Sequence, residues 1–256
     1  MSSASRDSAR ASLRRSVYAV MICATVGMVI GRILAVDAID SRAIQEDRIR
    51  QGMGRKRAAL KQQELTPKQV EKALEKEEQR LREAFQLTRP FLSANDRSRW
   101  IMMRALVEPE MQIPGVPYAI DKVIQEPGWD TIDMVKHEGP DGKEYLYSSK
   151  PPLFPTLMAG SYWLLTKTTD MTLGTHPYVL GRLLLIVWNV IPLAIYLVVI
   201  AALIERFGRT DFARVFLMGA ASFGTFLTTF ATVLNNHLPA AVCAAITLYA
   251  LVRIWF

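Results

Sequence analysis

Two ionisable side chains stand where charge is hard to keep. They are the carboxylate of Asp96, in Asn95-Asp96-Arg97, and the ammonium of Lys150, in Tyr147-Ser148-Ser149-Lys150-Pro151-Pro152. Both belong to one long loop framed by apolar segments of membrane length. A charge close to hydrocarbon is costly unless it is paired, so ionisable groups held there are candidates for handling a charged, lipid-borne substrate. Arg97, beside Asp96, and Arg182, just inside the next apolar segment, are further cations of the same region.

The segments that must position these groups follow from hydropathy. A helix needs about 20 mostly apolar residues to cross a bilayer, which residues 17–36 supply, with Arg32 near enough to the end to snorkel. Residues 178–204 carry the strongest signal, and their Pro192 is tolerated because neighbouring helices re-satisfy the freed carbonyl. Residues 212–234 hold Gly219, Ala220, Ala221, Ser222 and Gly224, small enough for a second helix to approach closely. Residues 238–256 make a fourth span. Arg6, Arg10, Arg14 and Arg15 precede the first, and Arg206, Arg209 and Arg214 surround the link between the second and third. By the positive-inside rule both groups are cytoplasmic, so residues 1–16 form a basic cytoplasmic N-terminus and residues 37–177 an extracytoplasmic domain. The stretch 153–165, with Tyr162 and Trp163, is too short and too Pro-broken to span and reads as a juxtamembrane helix.

Within the loop, Thr66-Pro67-Lys68-Gln69 combines a capping threonine, a proline at the first helical position and a glutamine placed for a capping box. It opens a charged helix over 67–87, with a narrow stripe of Val70, Leu74, Leu81 and Phe85. A second helix is expected over 94–107, with Ser93 as cap and Asp96 in its first turn. From Pro109 to Gly142 turn residues recur, so short strands and loops are expected up to Tyr147. The fold class is an all-α membrane protein: a polytopic transmembrane bundle with a mixed, loop-rich extracytoplasmic domain and juxtamembrane helices.

Composition agrees with this bipartite reading. The chain is 50% hydrophobic and 21% charged, and the apolar residues gather in its second half. The net charge of +7 is spread over membrane flanks and a mixed-charge helix with no aromatic-interleaved stripe, so nucleic acid is not an expected partner. Cys23 and Cys243 fall in apolar segments, where a thiol behaves as a small hydrophobe. His137, His176 and His237 lack ligand-like spacing, and no metal site or cofactor is expected.

The order of these features resembles a known family. An acidic residue opening a juxtamembrane helix after the first span, a Gly-containing turn, a Tyr-Ser run, Lys-Pro-Pro and an aromatic helix are similar to the first external loop of GT-C glycosyltransferases, which include protein mannosyltransferases and aminoarabinose transferases of lipid A. The matching stretches are Asp96-Arg97-Ser98-Arg99-Trp100 and Asp141 to Leu153, within a resemblance running from about residue 17 to the end. It implies transfer of a sugar from a polyprenyl phosphate to an acceptor on the extracytoplasmic face of a bacterial inner membrane. It assigns the general base to Asp96, since the acceptor hydroxyl loses its proton on attack. It assigns to Lys150 the offset of the charge that grows on the phosphate leaving group, with Arg97 and Arg182 as further members of that clamp. Tyr147 belongs to the matching motif, and Asn236 and His237 would line the sugar pocket. The sequence departs from the family in its four spans, which imply an amino-terminal half or a shortened relative, in the charged insertion over 41–90, and in Asn235-Asn236-His237 where relatives carry a carboxylate.

Each residue also has an ordinary structural reading. Asp96 fits a capping box with Ser93, Lys150 could snorkel, and Asn236 and His237 suit a tight turn. Two functions remain from the sequence. One is an inverting, lipid-phosphate-sugar-dependent glycosyltransferase with an unknown acceptor. The other is a non-catalytic anchor or complex subunit whose external helix over 67–87 binds a protein partner.

Overall fold

The computed structural model describes residues 3–35, 41–62, 66–85, 91 and 93–255. They divide into two compact units, residues 37–90 and the remainder.

The smaller unit is a helical hairpin of α2 (Ser41–Leu60) and α3 (Pro67–Ala84). The α3 start follows from local chemistry: Thr66 N–H donates to Gln69 Oε1 at 3.0 Å, and Pro67 takes the first helical position. The helix stops at Ala84, short of the expected 87; residues 86 and 87 lie outside the described residues. A helix over 41–60 was not anticipated, because its few apolar residues make no continuous stripe. Ile49 and Leu60 are buried, Gly52 packs on Leu81, and Lys56 faces Glu77 at 3.9 Å, so the two helices run antiparallel.

Among the described residues, the larger unit holds four helices long and apolar enough to cross a membrane: Ser8–Leu34, Pro177–Phe207, Asp211–Phe230 and His237–Trp255. The first is the apolar part of α1 (Ser3–Leu34). The second is not one regular helix. It joins α6 (Pro177–Leu185) to α7 (Ile191–Phe207) through a π-helical turn, Ile186–Val190. Pro192 has no N–H to return to the preceding turn, and the wider turn just before it absorbs the mismatch. The third span also departs from the single helix expected over 212–234. α8 (Asp211–Phe223) ends at Gly224, followed by a short α9 (Leu227–Phe230) and an irregular link to α10 (His237–Trp255). A Cβ at Gly224 would lie 2.9 Å from Ala220 O, the carbonyl that accepts the Gly224 N–H at 2.8 Å, so the last turn of α8 closes too tightly for a side chain there. Such irregular backbone at the end of a span is sustainable only where its polar groups find partners inside the protein.

At one end of the bundle, Arg14 reaches both Glu205 (2.6 Å) and Asp211 (2.5 Å). The basic start of α1 and the basic link between the second and third spans therefore share one end of the bundle.

At the other end lies the segment from Phe91 to His176. It contains α4 (Ala94–Val107), an antiparallel hairpin of β1 (Met134–Glu138) and β2 (Glu144–Ser148), and α5 (Leu153–Thr169), longer than the expected 153–165. α4 and α5 pack together over a buried ionic staple. Arg104 Nε lies 2.9 Å from both Glu108 carboxylate oxygens, Nη1 donates to Glu126 at 2.7 Å, and its guanidinium lies 4.4 Å from the centre of the Trp129 ring. Tyr162 of α5 donates to Glu108 at 2.5 Å and accepts the Leu173 N–H at 2.8 Å. Trp188, in the π turn, donates to Ser161 of α5 at 2.7 Å and so ties that helix to the second span.

Candidate functional site

α4 carries the site, and its period decides what each residue faces. Asp96 is buried and does not cap its own helix: Ser93 makes no side-chain cap hydrogen bond, and the Asp96 carboxylate turns toward the bundle. Its Oδ1 accepts the indole N–H of Trp100 at 2.8 Å and the backbone N–H of Leu234 at 2.8 Å. Among the described residues no hydrogen bond falls on Oδ2. Trp100 is aimed by stacking on Phe91, with ring centres 4.5 Å apart. Leu234 has its N–H to give because α9 has ended and α10 has not begun. Burial pushes the Asp96 carboxyl up to about 7, against the two donated hydrogen bonds and the charges of Arg99 and Arg97.

Residues one and two places on point elsewhere. Arg97 is buried, and its guanidinium donates to the carbonyls of Asp130 (2.5 Å) and Phe91, so it pins the loop around α4. Ser98 lies about 200° around the helix from Asp96. Its hydroxyl donates to Asp133 O at 2.7 Å and meets Ser148 Oγ at 2.7 Å, docking the β hairpin on α4. Arg99, about 60° from Asp96, stands between these two directions. Burial lowers its guanidinium from the ordinary value, while the charges of both Asp96 and Asp133 act in the opposite sense. Its Nη1 is held by Asn95 O at 2.9 Å and by Asn95 Oδ1.

Lys150 follows the hairpin, with its ammonium 3.2 Å from Asp133 Oδ1 and both side chains partly exposed. It makes no direct bond to Asp96. No hydrogen bond or ion pair joins Arg99 to Asp96 or to Asp133 among the described residues; the charges of both acids act on its guanidinium from further away. Tyr147 alternates with Ser148 along β2 and so faces away from α4, edge-on to His137 at 6.4 Å. Arg182 lies half-buried in α6. Asn236 and His237 are exposed at the start of α10, where the His237 ring rests on Phe230 at 4.6 Å. The interior member of that turn is Asn235. Its Nδ2 donates to Phe230 O (2.8 Å) and Val233 O (3.1 Å), and its Oδ1 accepts the His237 N–H.

Sequence reasoning missed three participants. Arg99 stood in the matched motif, and its three-residue spacing from Asp96 is the signal that could have found it. Trp100 reads as packing, yet its indole N–H holds the carboxylate. Asn189, a lone amide in the second span, is fully buried in the π turn and donates to Ala231 O (3.0 Å) and Val233 O (2.9 Å). A buried amide in an apolar span was the available cue.

The arrangement is a half-engaged carboxylate raised to about 7, a buried guanidinium one helical turn on whose charge acts on it, and, on the docked hairpin, an ammonium paired with Asp133. It can accept a proton from a hydroxyl and place positive charge nearby. Among the described residues no group of three or more His, Cys, Asp and Glu is placed to hold a metal. No protein-family model, no curated protein and no solved structure matches the chain.

Proposed function

We propose that this protein is a membrane glycosyltransferase of the GT-C kind, moving a sugar from a polyprenyl phosphate to an acceptor on the extracytoplasmic face. The observation that carries the reading is Asp96: a buried carboxylate at about 7 with one oxygen fixed by Trp100 and Leu234. A base poised near the working pH is best able to take the acceptor proton as the hydroxyl attacks the anomeric carbon. Arg99 and Lys150 then offset the charge that develops on the departing lipid phosphate. The orientation follows from the arginines: Arg14 and the link after Glu205 share one end, which the positive-inside rule makes cytoplasmic, leaving Asp96 and Lys150 outside.

The test is transfer from a fluorescent polyprenyl-phosphate sugar by the full-length protein in proteoliposomes, compared with Asp96→Asn. The amide still accepts from Trp100 and Leu234, so insertion and melting should hold while transfer falls about 100-fold or more. Undiminished transfer would remove Asp96 from the chemistry. No transfer by the unaltered protein with any such donor would favour the second reading, a non-catalytic anchor that recruits a partner. That alternative draws on the α2–α3 hairpin, a separate unit whose α3 face is charged and solvated.

A further inference from the structure

We infer that the exposed face of α2 docks on an anionic lipid bilayer. Residues 41–62 contain seven Arg and Lys against two acidic residues, whereas α3 carries five of each. The basic excess of the hairpin is therefore concentrated on one helix. The hairpin does not neutralise it: the α3 acids pair with Lys56, Arg80 and Arg82, and among the described residues Arg48, Arg50, Arg55 and Arg57, all exposed, are in no ion pair.

The occupant is argued from what the face lacks and where it is tethered. Among the described side chains of α2, Ile49 and Leu60 are buried and Met53 is half-buried. Protein interfaces gain most of their energy from aromatic and apolar anchors, and among the described side chains of α2 no large apolar or aromatic one is exposed. Residues 41–84 contain no aromatic residue on which a base could stack, which disfavours nucleic acid. A diffuse layer of arginines suits a planar, diffuse negative charge. Such a plane is close by: α1, a membrane-length helix, ends at Leu34 and α2 begins at Ser41. Six residues separate them in the sequence, so the basic helix follows directly on a span along the chain. With no large apolar side chain exposed among the described ones, the contact is electrostatic and salt-sensitive. This inference does not depend on the glycosyltransferase reading.

The experiment uses the full chain in lipid nanodiscs, with Cys23 and Cys243 replaced by alanine and a fluorophore attached through Ala58→Cys on the exposed side of α2. Headgroup-attached nitroxide lipid quenches the fluorophore when the helix lies on the surface. Discs of phosphatidylcholine are compared with discs containing a third of phosphatidylglycerol. Quenching at least about threefold stronger in the anionic discs, returning to the neutral level in molar salt, is the expected result. Equal quenching in both discs, or quenching that persists in salt, would overturn the inference. The fourfold variant Arg48→Gln, Arg50→Gln, Arg55→Gln and Arg57→Gln should abolish the difference; an undiminished difference also overturns it. The salt titration on the unaltered arginines stands even if that variant folds poorly.

Discussion

Asp96 and Asn189, 93 residues apart in sequence, grip the same short link between α9 and α10. Asp96 accepts the N–H of Leu234, while Asn189 donates to the carbonyls of Ala231 and Val233. One holds the link from α4 and the other from the π turn of the second span, so the break in the third span and the widening of the second are complementary. Removing the amide in Asn189→Ala takes the side-chain donor from the buried Ala231 carbonyl, while Val233 O keeps Asn235, at a cost of about 1 to 3 kcal/mol. Amide exchange at Leu234 should accelerate, because the loosened link no longer delivers its N–H to the carboxylate. Unchanged exchange there would show that Asn189 does not hold the link.

The raised Asp96 value makes stability depend on pH with a definite sign. The carboxyl titrates near 3.8 in the unfolded chain and at about 7 in the folded protein. Between those values the folded protein keeps a proton that the unfolded chain releases, so stability is full below the lower value and is lost as pH rises through the upper one. The loss is on the order of a few kcal/mol and should vanish in Asp96→Asn. Melting in detergent across pH 4 to 8 reads this directly, and identical slopes for both proteins would place the carboxyl at its ordinary value. Transfer should run the opposite way, rising with pH and levelling above about 7, because the base must be ionised.

The Arg104 staple should be the most fragile ionic element. Arg104→Met leaves Glu108 buried with its main countercharge gone, which costs about 3 to 5 kcal/mol. Arg104→Met combined with Glu108→Gln should recover part of that loss in a thermal melt. Gly174 adds an independent check, since a Cβ there would come within 2.5 Å of Arg104 Nη2. Gly174→Ala should therefore destabilise the protein by displacing the same guanidinium.

Arg97 and Lys150 should separate by phenotype. Arg97 is buried and binds loop carbonyls, so Arg97→Ala is expected to reduce folded yield whatever the substrate. Lys150 pairs at a partly exposed position, where an ion pair contributes about 0 to 1 kcal/mol. Lys150→Ala should melt like the unaltered protein yet raise the KM for the lipid phosphate about tenfold or more. A large loss of stability from Lys150→Ala would reverse these roles.

The orientation can be tested with one cysteine in a background lacking Cys23 and Cys243. Ser149 is exposed whereas Ser148 is buried against Ser98, so Ser149→Cys is the informative position. It should react with an impermeant maleimide from outside intact cells. Reaction only after the membrane is opened would invert the topology.

The segments long and apolar enough to cross a membrane were legible from sequence because lipid offers no partner to a backbone N–H or C=O, so a spanning segment announces itself by length and hydropathy. The start of α3 was legible for a local reason as well, since its capping box and first-turn proline act within one turn, whereas α4 starts where expected without the Ser93 cap bond on which that expectation drew. Where the third span breaks, and that the second carries a π turn, were not, because those depend on polar partners reached only after folding. The same holds for the site. That Asp96 and Lys150 lie in one loop is written in the residue order. That Asp96 turns into the bundle rather than capping its helix depends on an N–H 138 residues away. That Arg97 pins a loop while Arg99 lies about 60° around α4 from Asp96 follows from helical period once packing has chosen which side of α4 is buried. Local propensity sets elements over a few residues, whereas burial, and with it the carboxyl's shift, is a property of the assembled neighbours.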